Sequence, residues 1–263
     1  MIKRSTLRSQ VATALRDEIL AGRLATGRDF TVKEIAEQYG VSATPVREAL
    51  VDLAAQGLLD VEQHRGFRVH EFTLADYLAM CEAQQLVVDG VFQGLPNPAG
   101  PAEGRRGDAR CETVAERAFQ ALRPEVVTSV RRRAVAAERA ARSGDLDVLI
   151  AYDLRFWREL SGLLGNAYVC DFLDRLRIQC WVYAVSVLRT LPTPRGHLWS
   201  GHNALVDAVE SGDAASAREV MASYNSHALA LVGIGAGQGR AGQPDGTDGE
   251  DVRPNDTDGG TER

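Results

Sequence analysis

The 263-residue chain has no run of eighteen apolar residues, so nothing in it predicts a membrane span. Its opening, MIKRSTLRSQ, lacks the apolar core of a secretion signal and passes straight into a helical pattern. A cytoplasmic protein is expected. Cysteine is scarce: Cys81, Cys111, Cys170 and Cys180 form neither a CxxC pair nor a Cys/His metal spacing. Reduced thiols are the simplest reading, three of them packing helices. No phosphate-cradling loop and no nucleophile–base pair stands at a recognisable spacing, so no enzyme is expected. Excess positive charge is missing too, with a net charge of −6. Residues 1–70 hold ten Lys/Arg against nine Asp/Glu, residues 71–234 seventeen against twenty, and the last 29 three against seven. Contact with a polyanion must then rest on a few placed cations, namely Lys3, Arg4, Arg8, Lys33, Arg47 and Arg65, doubled by a homodimer. Each phosphate neutralised releases counterions.

What is present is concentrated in residues 32–69. Thr31 and Glu34 form a T-x-x-E capping box ahead of a short helix, with Ile35 and Ala36 on its apolar side. Gly40-Val41 makes a turn. Ser42 or Thr44 caps a second helix, whose first turn tolerates Pro45. Val46, Ala49, Leu50 and Leu53 recur at helical spacing as its buried face, leaving Ser42, Thr44 and Arg47 on the open side. Gly57 ends that helix. Residues 59–62 and 67–69 alternate as strands around a basic hairpin tip, Gln63-His64-Arg65-Gly66. This is a winged helix-turn-helix, which ordinarily places one helix in the DNA major groove.

Before this unit lies a helix over 7–21, with Val11, Leu15, Ile19 and Leu20 as its stripe and Gly22 as its stop. After it, Thr73 and Asp76 start another helix, and strand signals vanish. Helices are predicted at 74–93, 112–122, 125–142, 146–163, 167–190, 200–210 and 214–232, giving a mostly α chain. Ser143-Gly144-Asp145 and Ser211-Gly212-Asp213 are matched stop–start signals. The Gly/Pro/Arg-rich stretch 94–110 reads as a long surface loop. The tail from 235 to 263 has too little apolar surface to fold. The domain reading is therefore 1–71, 72–234 and an acidic tail, 235–263.

VSATPVREAL, then GLL, then HRGFRV, closely resembles the DNA-binding domain of GntR-family transcription regulators, at that family's spacing throughout. The resemblance implies DNA contacts at Lys33, Ser42, Thr44, Arg47, His64, Arg65 and Gly66. Ala43 departs from the family's usual Arg; it can meet a thymine methyl but no guanine edge, so base preference there should differ. The run Arg131-Arg132-Arg133 reads as a solvated face.

Residues 73–230 resemble, more loosely, the FCD effector domain of the family's FadR-like branch. The matching stretches are DLRFWRELSGLLGN at 153–166, GHNALVDAVESGD at 201–213 and AREVMASY at 217–224. In many relatives an Asp and three His in these places bind a divalent metal that helps hold a carboxylate effector. Here Asp153 and His202 stand, but Trp157 and Tyr224 occupy two His positions, and His227 lies about 300° further round its helix. An indole nitrogen is a donor only and two ligands fall short of a usual zinc set, so neither metal nor other cofactor is expected; Asp153, His202 and His227 are the residual candidates. Gln84 stands where the family commonly has an Arg. The expected effector pocket is apolar and aromatic, comprising Gln84, Asp153, Trp157, His202 and Tyr224 with Trp181, Tyr183 or Trp199 nearby, and suited to larger, less charged ligands. The alternative is that these aromatics fill the site as core.

The expected function is a sequence-specific repressor that binds double-stranded DNA at an inverted-repeat operator as a homodimer and answers to a small-molecule effector. Two rivals remain: a ligand-independent regulator with a closed pocket, and a metal-dependent enzyme using Asp153 and His202.

Overall fold

A computed structural model describes residues 6–63, 66–93 and 113–239. The order of elements is α1 (Leu7–Leu20), β1 (Asp29–Phe30), α2 (Val32–Tyr39), α3 (Ala43–Ala55), β2 (Leu59–Glu62) and β3 (Gly66–Val69), then α4 (Leu74–Phe92), α5 (Val114–Gln120), α6 (Pro124–Ser143), α7 (Leu146–Gly162), α8 (Ala167–Leu188), α9 (His202–Glu210) and α10 (Ala214–Gly239). The mostly helical architecture, with a small antiparallel sheet confined to the N-terminal unit, is the one the sequence predicts.

Local chemistry accounts for the boundaries. Thr31 and Glu34 close a reciprocal capping box on α2, and Gly40 ends it at φ +64°. Thr73 and Asp76 do the same for α4, and Thr113 and Glu116 for α5. Gly144 and Gly212 sit at positive φ, and Asp145 and Asp213 then accept from the amides of Val148 and Ser216. At α3, Ser42 occupies the N-cap position but its hydroxyl makes no capping bond, contrary to expectation. The missing donor of Pro45 shortens the list of amides that need a partner there.

Two further differences are physical. The strand β1 pairs with β3, so the sheet runs β1-β3-β2, with Asp29 opposite Arg68 and Phe30 opposite Phe67. Two residues cannot display a strand period. The last helix runs to Gly239, seven residues past the predicted 232 and into the expected tail, whereas the other predicted helix ends fall within two residues. Once a helix is nucleated on packed turns, each added residue brings one more hydrogen bond, and polarity alone does not stop it. The loop 94–110 and residues 240–263 lie outside the described residues.

The core spans both halves of the chain. Leu15, Ile19, Leu50, Leu53 and Val69 share one buried cluster with Ala137, Leu149, Val182, Val185 and Leu188. A second cluster, inside the helical half, gathers Val130, Phe156, Trp157, Leu205, Val209 and Met221. The helices α8 and α1 pack together at the join, where Gln179 of α8 donates to the backbone carbonyl of Gln56, at the end of α3, at 2.8 Å. The three-arginine run ties helices together: Arg131 pairs with Asp207 and Glu210 of α9, and Arg133 with Glu159 of α7.

Candidate functional site

Val46, Ala49, Leu50 and Leu53 fix α3 against the core, which turns Ser42, Ala43, Thr44 and Arg47 to solvent. Arg47 has no ion-pair partner among the described residues, although Glu48 adjoins it. Lys33, loosely paired with Glu37 at 3.8 Å, lines the same shallow groove between α2 and α3 as Ala43 and Arg47. Ser42 makes no side-chain capping bond, and a helix N-terminus is a place where an anion is favoured. Arg8, expected among the outward cations, is instead bound by Asp52 of α3. Of the expected wing-tip residues, His64 and Arg65 lie outside the described residues. Gly66 is placed at φ +109°, where an added Cβ would lie 2.5 Å from the carbonyl oxygen of Phe30. The glycine is required by that close approach to β1. The neighbouring cation Arg68 is held by Asp29 at 2.7 Å and Glu62 at 3.3 Å.

The second candidate site is a buried polar cluster between α7, α8, α9 and α10. Asp153, 2% exposed, accepts from Trp157 Nε1 at 2.8 Å and His202 Nε2 at 2.9 Å on one oxygen, and from Trp181 Nε1 at 2.7 Å on the other. Burial alone would raise its pKa; the hydrogen bond and attraction from His202, the charge of Arg177 and the Trp181 bond outweigh it, so the carboxyl is held below its ordinary value. His202 Nε2 must then donate, which leaves Nδ1 buried without a partner among the described residues. Arg177 of α8, 4% exposed, lays its guanidinium 3.9 Å from the centre of the Trp157 ring and donates to the Tyr224 hydroxyl at 2.6 Å. Burial pushes the Tyr224 phenol up, so it stays neutral. Trp199 stacks on Trp157 and meets Tyr224 edge-on, and Gly201 leaves room for it: a Cβ there would lie 2.6 Å from the indole.

Two cavities flank this cluster. One, of about 90 Å³, lies among Val88, Phe92, Phe119, Leu164 and Met221. The other, of about 60 Å³, lies among Leu149, Ala184, Leu198 and His227. Arg177 lines both.

Residues 7–69 match the family model of bacterial regulatory proteins of the gntR family, and residues 112–226 match that of the FCD domain. The chain is a GntR-family regulator with an FCD domain. It is 29% identical over 212 residues to a Paenarthrobacter nicotinovorans protein described as "Probable D-xylose utilization operon transcriptional repressor", covering 81% of this chain and 82% of the relative. It is 26% identical over 223 residues to the HTH-type transcriptional regulator BphR of Paraburkholderia xenovorans, covering 83% and 82%. The solved structure of Escherichia coli McbR/YncC shares the fold, with a TM-score of 0.69 at 20% identity over 89% of this chain and all of that one. Like these families, the protein is a DNA-binding transcription regulator and not an enzyme.

The residues of this GntR-family chain do not fit the divalent metal of its FCD relatives. Trp157 donates to the carboxylate that a metal would need, and no group of three ligating side chains exists among the described residues. His227 gives its Nε2 to the His197 carbonyl at 3.1 Å. The positive charge in the cluster is Arg177, which the sequence reading did not single out. Its one visible signal was a charged side chain between Leu176 and Ile178, both buried. Gln84 is buried on α4 but lines neither cavity; Tyr183 lines neither, although Tyr77, on which it stacks at 4.5 Å, lines the smaller one. Trp157, Tyr224, Trp181 and Trp199 are brought together; open space remains beside them, so they do not fill the site completely.

Proposed function

We propose that the protein is a homodimeric repressor of an inverted-repeat operator in the cytoplasm, with α3 in the major groove and the wing beside it. The observation that carries this reading is the exposed first half of α3, where Ser42, Thr44 and Arg47 face solvent, with no side-chain hydrogen bond or ion pair among the described residues, while the opposite face is buried. Lys33 extends the surface across the groove. Two copies are needed because one copy offers few free cations, and phosphate contacts add affinity roughly in proportion to their number. An effector in the helical domain would act by binding one arrangement of the two winged helices better than another. The bond from Gln179 to the end of α3 gives it a mechanical route.

The test is a titration of the protein against an operator recovered by selecting bound genomic fragments. Arg47→Ala should lose about 1–3 kcal/mol per half-site, with two protomers per operator in the unmodified complex. Unchanged affinity in a folded variant, or one protomer per operator, sinks the proposal.

A further inference from the structure

Two thiols that read in the sequence as helix packing also meet each other in the fold. Cys81 of α4 and Cys180 of α8 are both free and half-buried, and both pack on the cluster of Tyr77, Met80 and Leu176. The register of the two helices brings this about. Tyr77 stacks on Tyr183 with ring centres 4.5 Å apart. One turn forward along α4 stands Cys81, and one turn back along α8 stands Cys180, each on the face of its tyrosine. The helices pack antiparallel at this point, and the Cys180 thiol donates a hydrogen bond to Cys81. Packed helix axes lie about 8–10 Å apart with Cα atoms about 2.3 Å off each axis, so facing Cα atoms approach the ~4.4–6.8 Å that a disulfide spans. That hydrogen bond holds the Cys81 thiol below its ordinary pKa against its burial, and the same bond together with burial keeps Cys180 protonated. The smaller cavity, of about 60 Å³, abuts Cys180 and has room for a molecule somewhat larger than water.

We infer that Cys81 and Cys180 form a dithiol that a peroxide oxidises to a cross-link between α4 and α8, and that the cross-link weakens operator binding. The second half of this rests on the repressor reading above. The Cys81 thiolate attacks a peroxide oxygen: an S–O bond forms, the O–O bond breaks, and hydroxide leaves and is protonated to water. The Cys180 sulfur then attacks that sulfenic acid. An S–S bond forms, the S–O bond breaks, and the departing hydroxide takes the Cys180 proton as a second water. Two thiols are oxidised by two electrons in all, and one hydrogen peroxide is reduced to two waters. In a reducing cytoplasm the pair rests as thiols, which suits a sensor and not a structural staple. Its position supplies the consequence. Helix α4 follows the wing after four residues, and Gln179, next to Cys180, holds the Gln56 carbonyl at the end of α3. The cross-link therefore joins the two helices that seat the winged helix on the helical half. A covalent bond is shorter than a thiol–thiol contact, so α8 must close on α4, which draws Gln179 away from Gln56 and unseats α3 from its operator-binding arrangement.

The experiment treats the reduced full-length protein with hydrogen peroxide, maps its peptides by mass spectrometry without reductant, and titrates the operator before and after. The map should show one peptide pair linked through Cys81 and Cys180, and dithiothreitol should undo it. Oxidation should weaken operator binding about fivefold or more, and the reductant should restore it. Cys81→Ser and Cys180→Ser should each abolish both the link and the change in affinity, whereas a Cys111→Ser, Cys170→Ser double variant should behave as the wild type. The map of the wild-type protein decides the matter even if a variant fails to fold. No link between Cys81 and Cys180, a link through Cys111 or Cys170 in its place, equal operator affinity of the reduced and linked forms, or the same loss of affinity in C81S would each overturn the inference. Failure of the reduced protein to bind any operator removes the repressor reading, and the dithiol then stands or falls on the map and its reversal.

Discussion

Asp153 is the residue on which the buried cluster turns, since three donors from three helices converge on its carboxylate. Replacing it by Asn keeps the shape but removes the charge facing Arg177 and presents an amide N–H₂ to groups that donate. Breaking one side of a buried pair typically costs about 3–5 kcal/mol, and denaturant unfolding of D153N should show a loss of that order. Its depressed pKa also sets an acid limit. A carboxyl with a lowered folded pKa adds stability above its unfolded value, about 3.9, and that stability disappears as pH falls through the folded value. The melting temperature of the wild type should fall more steeply than that of D153N below about pH 4; parallel curves would mean Asp153 is not the group responsible. Asp153, Trp157, His202 and Tyr224 were legible in the sequence because family spacing located them. Arg177 was not, because a charged residue beside Arg175 on a long helix looks like solvated surface until the neighbouring helices enclose it. For the same reason the sequence implied an uncharged pocket, and the fold supplies a cation.

At the scale of elements, the contact between α8 and the end of α3 links pocket to recognition helix. Gln179 sits between Arg177 and Trp181, both committed to the cluster, and reaches the Gln56 carbonyl from the other side of the helix. Gly57 completes the junction at φ +73°, with space for a Cβ denied by Gln179 Nε2 at 2.7 Å. Gly57→Ala should cost on the order of 1–3 kcal/mol, from left-handed backbone strain and the displaced amide. Gln179→Leu should cost about 1 kcal/mol in stability while reducing how far a bound effector changes operator affinity. If G57A melts like the wild type, the junction is softer than its geometry indicates. The winged helix was readable element by element because caps, glycine turns and apolar spacing all agree locally. The junction was not readable, since a glutamine on a helix face carries no mark of the carbonyl it will meet more than a hundred residues away.

For the whole molecule, the shared core predicts one calorimetric unfolding transition, because the N-terminal unit and the helical half have residues in the same buried cluster. Two resolved transitions would contradict that coupling. Truncation after Gly239, the end of α10, should leave the melting temperature unchanged and modestly tighten DNA binding at low salt. The removed segment is net acidic, and its repulsion is screened over about 8 Å at physiological ionic strength. A loss of several degrees would show that those residues dock.

The cluster joining Leu15, Leu53 and Val69 to Val182 and Leu188 also bears on engineering. Winged helices are often treated as exchangeable heads, to be grafted onto other sensor domains. Severing this one between Phe72 and Thr73 would uncover an apolar face on each fragment and strand the Gln56 carbonyl. A chimera built from it must carry the matching face of α8 as well, or it will exchange specificity for aggregation.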